Sequence, residues 1–401
     1  MRKKKNQNFL KIPLSDVEII CNDFAVFCDY VVGNRVKISK NTGQIGKKDC
    51  FELNKLLYRK EAYEKATRFQ VYYPIIHFFH YIALKYRILE FNTAKNGLVY
   101  GRNYGRYQDA PAIERYVLFV LNFLFDVSYM GENHFAPFHI EPFFGWVDEE
   151  KPEKGKTYQV PYNIFREDHY SGPGNGITPY LEELRLIRTY KRGICSDRSE
   201  LSLWEIEGLE LLEAVSYLYN ERFTEEEYQG DVDEKIEYYF GKYMDILEPS
   251  QKKHTLSEIF LPIEITIKNQ TIDLKVSMRW YDCSRTIRMN QSDSLYELHL
   301  AIQDAFDFDN DHLYDFRIGK GALKKTYCMA EYSNYGDELP VEETLIGELE
   351  LAKGENFTYL FDYGDCWWFD IKVVRIADGN IPKPILIESV NDAPMQYPAW
   401  E

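Results

Sequence analysis

Little in this sequence announces a common chemistry. It has no phosphate loop, dinucleotide fingerprint, nucleophile elbow or His-Glu-x-x-His. Those absences remove several large enzyme classes. The seven cysteines are Cys21, Cys28, Cys50, Cys195, Cys283, Cys328 and Cys366; they are odd in number and no two stand at Cys-x-x-Cys spacing. Neither a disulfide framework nor a structural zinc site is expected, and a reducing, cytoplasmic setting fits. A run of about 18 apolar residues is also missing, so no membrane-spanning helix is expected. The basic start, MRKKKNQNFLKIPL, lacks the apolar core of a signal peptide. Positive charge is short: 48 basic residues face 64 acidic ones, a net −16. That balance opposes loose binding to nucleic acid but leaves room for a local basic face.

What is present points to a folded, multi-domain chain. The 401 residues suggest two or three domains, and the 45% hydrophobic content suffices for packed cores. The 32 Tyr and 25 Phe favour strands and broad packed surfaces.

The N-terminal half reads as helical. After EIICNDFAVFCDYVV comes 35-RVKISKNTGQIGKKDCFELNKLL-57. It is expected to turn at Asn-Thr-Gly and to enter a helix near Asp49 that buries Phe51, Leu53, Leu56 and Leu57. Between Arg35 and Lys60 stand eight basic and two acidic residues, the one clearly basic patch. Residues 69–91 and 112–125 read as buried helices, with Pro74 at the first turn of the former and a hairpin signal at Asn96-Gly97. A helix ending near Leu184, the strands LIRTY and ELSLWEI, and a helix from Glu207 repeat this order. Helix, hairpin and helix in both places suggest two winged-helix-like units.

The expected organisation is a helical, winged-helix-like domain over 1–130 and a long aromatic, Pro/Gly-rich connection over 131–178. A second winged-helix-like unit with an acidic linker follows over 179–250, and an α+β domain over 251–401. The linker rests on ten acids against three bases in 221–250. In the last domain the pattern changes to period two. LPIEITIKNQ and TIDLKVSMRW read as strands. Ser294 is placed to cap a helix over 295–306, whose Leu295, Leu298, Ile302, Ala305 and Phe306 form one stripe. Strands follow near 313–318, 325–330, 356–362 and 367–376. The fold class is α+β, with a mainly helical N-terminal region and a small antiparallel or mixed sheet packed on one main helix.

Three segments carry a family resemblance. They are 295-LYELHLAIQDAFDFDNDHLYDF-316, then 335-YGDE-338 with 345-LIGELELAKGENFTYLFDYGD-365, and DYGDCW itself. The region 260–376 resembles the plasmid pRiA4b open-reading-frame-3-like family, also known as the insertion-element passenger TnpR-like domain. The resemblance implies an association with mobile elements and no established activity. The chain departs from the family pattern at Ser284 and Thr286, which flank Arg285 where the family has Trp-Arg-Arg. Asp307 and Phe308 replace Gly-Trp, and Cys366 replaces an acidic residue.

The best side-chain constellation is His299, Asp311, His312, Asp362 and Asp365. Two imidazoles with carboxylates suit a divalent metal or an acid–base pair. Asp362 and Gly364 also suit a tight turn, with His299 as a hydrogen-bonding prop. Arg285, Trp367 and Trp368 are candidates for ligand or partner binding, with the two tryptophans on opposite faces of a strand. Arg35, Lys37, Lys40, Lys47 and Lys48 are candidates for nucleic acid; Arg188, Lys191, Arg192 and Arg198 form a second, diluted basic turn. His77 and His80, and the loop pair His134 and His139, read as structural.

The preferred reading is a non-enzymatic, modular interaction or regulatory protein with a protein partner or a second copy, no membrane and no cofactor. The alternatives are a DNA-binding protein using the basic hairpins and a metal-dependent hydrolase using the C-terminal His/Asp cluster.

Overall fold

The computed structural model describes residues 13–39, 42–92, 96–126, 137–159, 177–194, 200–221, 232–248, 251, 253–260, 265–320, 323–332 and 338–397. Lys40, Cys195, Arg198 and His134 lie outside these. The chain divides into two compact units, Met1–Leu261 and Pro262–Glu401.

The N-terminal unit is mostly helical. Helices α1 (Leu14–Gly33), α2 (Lys47–Asn54) and α3 (Pro74–Lys85) lead to the hairpin β1 (Leu89–Asn92) and β2 (Gly97–Tyr100). Next come α4 (Tyr104–Asp109), α5 (Ala112–Phe125), α6 (Pro137–Glu150) and β3 (Thr157–Gln159). The unit closes with α7 (Thr178–Glu183), β4 (Ile187–Ile194), β5 (Glu200–Ile206), α8 (Leu209–Glu221) and α9 (Val232–Leu247). Aromatic rings fill its centre: Phe24 of α1 lies 5.3 Å from both Phe79 of α3 and Phe119 of α5.

One local design occurs three times here. A helix ends, a cap residue follows (Asn34, Tyr86, Leu184), then an arginine in the left-handed region (Arg35 φ 53°, Arg87 φ 50°, Arg185 φ 62°), and then a buried aliphatic residue (Val36, Ile88, Leu186). Val36 N–H donates to Val31 O at 3.0 Å and Leu186 N–H to Leu181 O at 2.9 Å, the six-to-one bond of a Schellman cap. The chain then turns back and meets a glycine, Gly46, Gly101 or Gly208, before the next helix. A Cβ on Gly101 would lie 2.2 Å from Arg87 O, and one on Gly208 2.4 Å from Arg185 O. Backbone against backbone leaves room for nothing larger. The two expected helix–hairpin–helix units thus have a third counterpart at α1–α2. There the turn is closed by bridges Ile38↔Ile45 and Lys37↔Gly97.

Several sequence expectations change. Within the 131–178 stretch, the described residues 137–159 are not an irregular connection: α6 packs Phe143 5.5 Å from Trp204, and β3 pairs with β5. Phe143 and Phe144 are fully buried core residues, which is why this part of a Pro-rich segment folds as a helix. The acidic 221–250 stretch carries α9, not merely a linker. Tyr239 stacks on Phe125 at 4.8 Å, and Asp233 joins Asp126 in binding the part-buried Lys85 at 2.7 and 2.5 Å. Helix α2 ends at Asn54, so Leu56 lies outside it and is 55% exposed.

The C-terminal unit is an eight-stranded mixed sheet with one long helix, an α+β arrangement. Its strands are β6 (Gln270–Met278), β7 (Ser284–Asn290), β8 (Tyr314–Ile318), β9 (Lys325–Cys328), β10 (Leu339–Pro340), β11 (Asn356–Phe361), β12 (Trp367–Asp378) and β13 (Ile385–Val390). Their order is β10-β9-β8-β11-β12-β6-β7-β13, and only β10 with β9 runs parallel. Helix α10 (Leu295–Phe306) starts at a full capping box: Ser294 accepts from Glu297 N–H, and Glu297 accepts from Ser294 N–H. It lays Leu298, Ile302 and Phe306 on Val276, Tyr359, Phe369 and Ile371 in one core. Strand β7 gives little signal because its helix-facing positions include Arg285 beside Ile287 and Met289, so a charge interrupts the apolar alternation. All six residues of β13 are exposed, so it shows no alternation.

Candidate functional site

The turn between β11 and β12 is built by Asp362. Its backbone is left-handed (φ 57°), and its Oδ1 accepts from Gly364 N–H at 2.8 Å and Asp365 N–H at 3.3 Å. Cys366, also left-handed, donates its N–H to Asp362 O at 2.7 Å and closes the turn. Gly364 does not take the positive φ expected of it. It supplies space instead, since a Cβ there would lie 3.1 Å from Asp362 Oδ1. Asp365 is exposed.

His299 is fully buried and does not join that turn. Its ring stacks on Tyr314, centroids 3.6 Å apart. Nδ1 lies 2.7 Å from Tyr359 Oη and Nε2 2.6 Å from Asn310 Oδ1. Because the amide oxygen of Asn310 can only accept, Nε2 carries the proton and Nδ1 accepts from the tyrosine. Gln303 donates to the same hydroxyl at 2.8 Å. Burial holds the imidazole's pKa down at about 4. With both nitrogens engaged, the ring has no lone pair to offer a metal.

His312 is separate and half-exposed. Its Nε2 lies 3.0 Å from Tyr397 Oη, 3.4 Å from Asp362 Oδ2 and 3.7 Å from Asp311 Oδ1. Tyr397 donates to Asp311 at 2.7 Å, and Gln396 accepts from Asp309 N–H at 2.6 Å. The cluster therefore fastens the C-terminal segment to the loop after α10. Among the described residues no three His, Cys, Asp or Glu side chains are placed to hold a metal ion.

Arg285 is buried beneath the sheet's edge. It donates to Ala305 O at 2.8 Å, Asn391 O at 2.9 Å and Val390 O at 3.2 Å, with its guanidinium over the Phe306 ring. It joins the last turn of α10 to the end of β13.

The two tryptophans do part to opposite faces. Trp367 packs 5.3 Å from Phe308 and 5.9 Å from Tyr281. Trp368 lies between two guanidinium groups, Arg279 at 5.0 Å and Arg317 at 4.8 Å. Each arginine is paired, Arg279 with Asp370 at 2.6 Å and Arg317 with Asp315 at 2.7 Å. Arg279 N–H donates to Trp368 O, so the β6–β7 turn lies against this stack. At that turn's tip stands Trp280, 78% exposed and left-handed at φ 66°. Sequence reading missed it because TIDLKVSMRW reads as one strand, whereas β6 stops at Met278. Tyr281, the next residue, is also exposed, as is Tyr363 in the β11–β12 turn.

In the N-terminal unit, Lys47 and Lys48 open α2, exposed, with Lys47 3.8 Å from the centre of the Phe69 ring. Arg35 is exposed, and Lys37 belongs to the bridge with Gly97. His77 and His80 both lie 2.9 Å from one Gln70 amide nitrogen, and Gln70 Oε1 accepts from Ile45 N–H at 2.7 Å. They order the core there, and burial pushes His80 down to about 3.

Among the described residues no helix is long and apolar enough to cross a membrane. A curated relative, "Uncharacterized protein y4hQ" of Sinorhizobium fredii (strain NBRC 101917 / NGR234), is 29% identical over 25% of this chain and 50% of its own length. The chain thus spans about half the length of that relative. A solved structure titled as a protein of unknown function, MM3350 from Methanosarcina mazei Go1, aligns at 21% identity and a TM-score of 0.28, covering 31% of this chain and 72% of that one. Residues 270–396, nearly all of the C-terminal unit, match the family described as plasmid pRiA4b ORF-3-like protein.

Proposed function

We propose that the protein is a non-catalytic interaction module whose C-terminal unit grips a partner protein at the aromatic–arginine end of its sheet. The observation that carries this is Trp280, 78% exposed at the turn beside the Arg279–Trp368–Arg317 stack. A bulky residue in the left-handed region costs on the order of 1–2 kcal/mol, and a bare indole loses further free energy to water. Both costs are offset when a partner covers the ring. Tryptophan, tyrosine and arginine are also the side chains that concentrate binding energy at interfaces. Asp370 and Asp315 already neutralise the two arginines, so shape and apolar contact would select the partner.

On this reading the winged-helix-like units are scaffolding for a cytoplasmic, regulatory role. The family's link with mobile elements is the context in which a partner should be sought. A metal-dependent hydrolysis has less support, because His299 is engaged at both nitrogens.

A photo-crosslinking residue at position 280, with a control at the exposed Lys383, tests the proposal. A partner captured from 280, absent from 383, and lost on Trp368→Ala supports it. Equal capture at both positions contradicts it.

A further inference from the structure

We propose that the N-terminal unit carries a second, independent binding face for single-stranded nucleic acid, formed by Lys47 over the exposed ring of Phe69, its helix neighbour Lys48, and the Lys65 and Arg68 cations of the segment that leads into Phe69. Three observations converge on it. The first is charge. From Arg35 to Arg68 the chain holds ten Lys and Arg against four Asp and Glu, inside a protein of net charge −16. Some of those cations are taken: Lys55 pairs with Glu52 at 2.8 Å, and Arg59 with Glu182 at 2.7 Å and with Glu61. Lys47, Lys48, Lys65 and Arg68 form no ion pair among the described residues, and all four are exposed. Acids elsewhere on the molecule are screened beyond about 10 Å at 0.1 M salt, so the local excess decides.

The second observation is the rings. Phe69 is 57% exposed, with Lys47 Nζ 3.8 Å from its centroid. The Arg68 guanidinium lies 5.6 Å from the Tyr63 ring and 5.2 Å from Tyr72. Lys47 and Arg68 each rest against aromatic rings, and Arg68 directly precedes Phe69 in the chain. Duplex DNA makes no use of an exposed ring on its phosphate rails. An unpaired base does, because every base has a face to stack, while flanking cations follow its backbone.

The third is rigidity. Lys47 and Lys48 start a helix, and Ile45, two residues before it, is anchored by its N–H to Gln70 Oε1 at 2.7 Å. Gln70 directly follows Phe69, so one buried amide holds the two halves of the face in register.

The test is fluorescence anisotropy of a labelled oligothymidylate of about 20 nucleotides and of a duplex of equal length, with the full chain at salt from about 50 to 200 mM. The single strand should bind more tightly than the duplex and weaken steadily with salt. Lys47→Glu with Lys48→Glu should weaken binding at least tenfold. Phe69→Ala should weaken the single strand severalfold, and Phe69→Tyr should restore it. Lys353→Glu, in the other unit, should change nothing. Circular dichroism melts keep misfolding separate from lost binding. No binding at the lowest salt, a preference for duplex, or binding indifferent to Phe69→Ala in a folded variant each overturn the proposal.

Discussion

Tyr359 donates its hydroxyl proton to His299 Nδ1 across 2.7 Å, at the centre of the C-terminal core. The bond exists only while the imidazole is neutral. The ordinary histidine value of 6.5 is lowered by burial to about 4 in the fold. The unfolded chain therefore takes up the proton first. Stability from this group is complete above about pH 6.5 and is lost as the pH falls toward 4, by about 3 kcal/mol in total. Urea unfolding of the full chain at successive pH values should show the decline. His299→Gln should flatten it over that window; an unchanged slope would mean that the histidine is not the group responsible.

Arg285 is expected to be structural and irreplaceable by lysine. A single ammonium cannot serve the carbonyls of Ala305, Val390 and Asn391 in the fork geometry of a guanidinium. Arg285→Lys and Arg285→Ala should each cost about 2–4 kcal/mol. Hydrogen exchange should locate the loss in α10 and β13.

In the β11–β12 turn, Asp362→Asn should cost less than about 1 kcal/mol, because asparagine keeps the acceptor and tolerates the left-handed region. Asp362→Val removes both and should cost about 2 kcal/mol or more. Asp365→Ala should stay within about 0.5 kcal/mol. Denaturant midpoints rank the three variants.

The two close-approach glycines of the N-terminal unit make a sharper case. Gly101→Ala and Gly208→Ala would each drive a Cβ into a backbone carbonyl and should cost about 2–3 kcal/mol. Gly33→Ala, with open space around it, should not. Arg35→Gly should raise stability by up to about 1 kcal/mol, since glycine adopts φ 53° freely. Thermal melts separate the four variants.

The chain wrote some of this fold plainly. Helix α10 and its cap were legible because a stripe at helical spacing follows Ser294 and Glu297 in register. Strands β8, β11 and β12 were legible because their apolar residues alternate. Helix α6 was not, since its prolines and aromatics imitate a loop and only Trp204 and Tyr219, far along the chain, show what they pack on. The candidate site was only half legible. The spacing of His299 puts it on the helix, but not beneath Tyr314, where solvent and metal are excluded. Trp280 gave no signal, because its exposure arises from a strand that stops one turn earlier than its hydrophobic pattern.

The direct test of the interaction reading is the affinity of the partner captured at position 280 for the wild type, Trp280→Ala and Trp368→Ala. Each variant should keep its thermal melt and lose tenfold or more in Kd, about 1.4 kcal/mol. Affinities equal to wild type in both folded variants would contradict a partner surface at this end of the sheet.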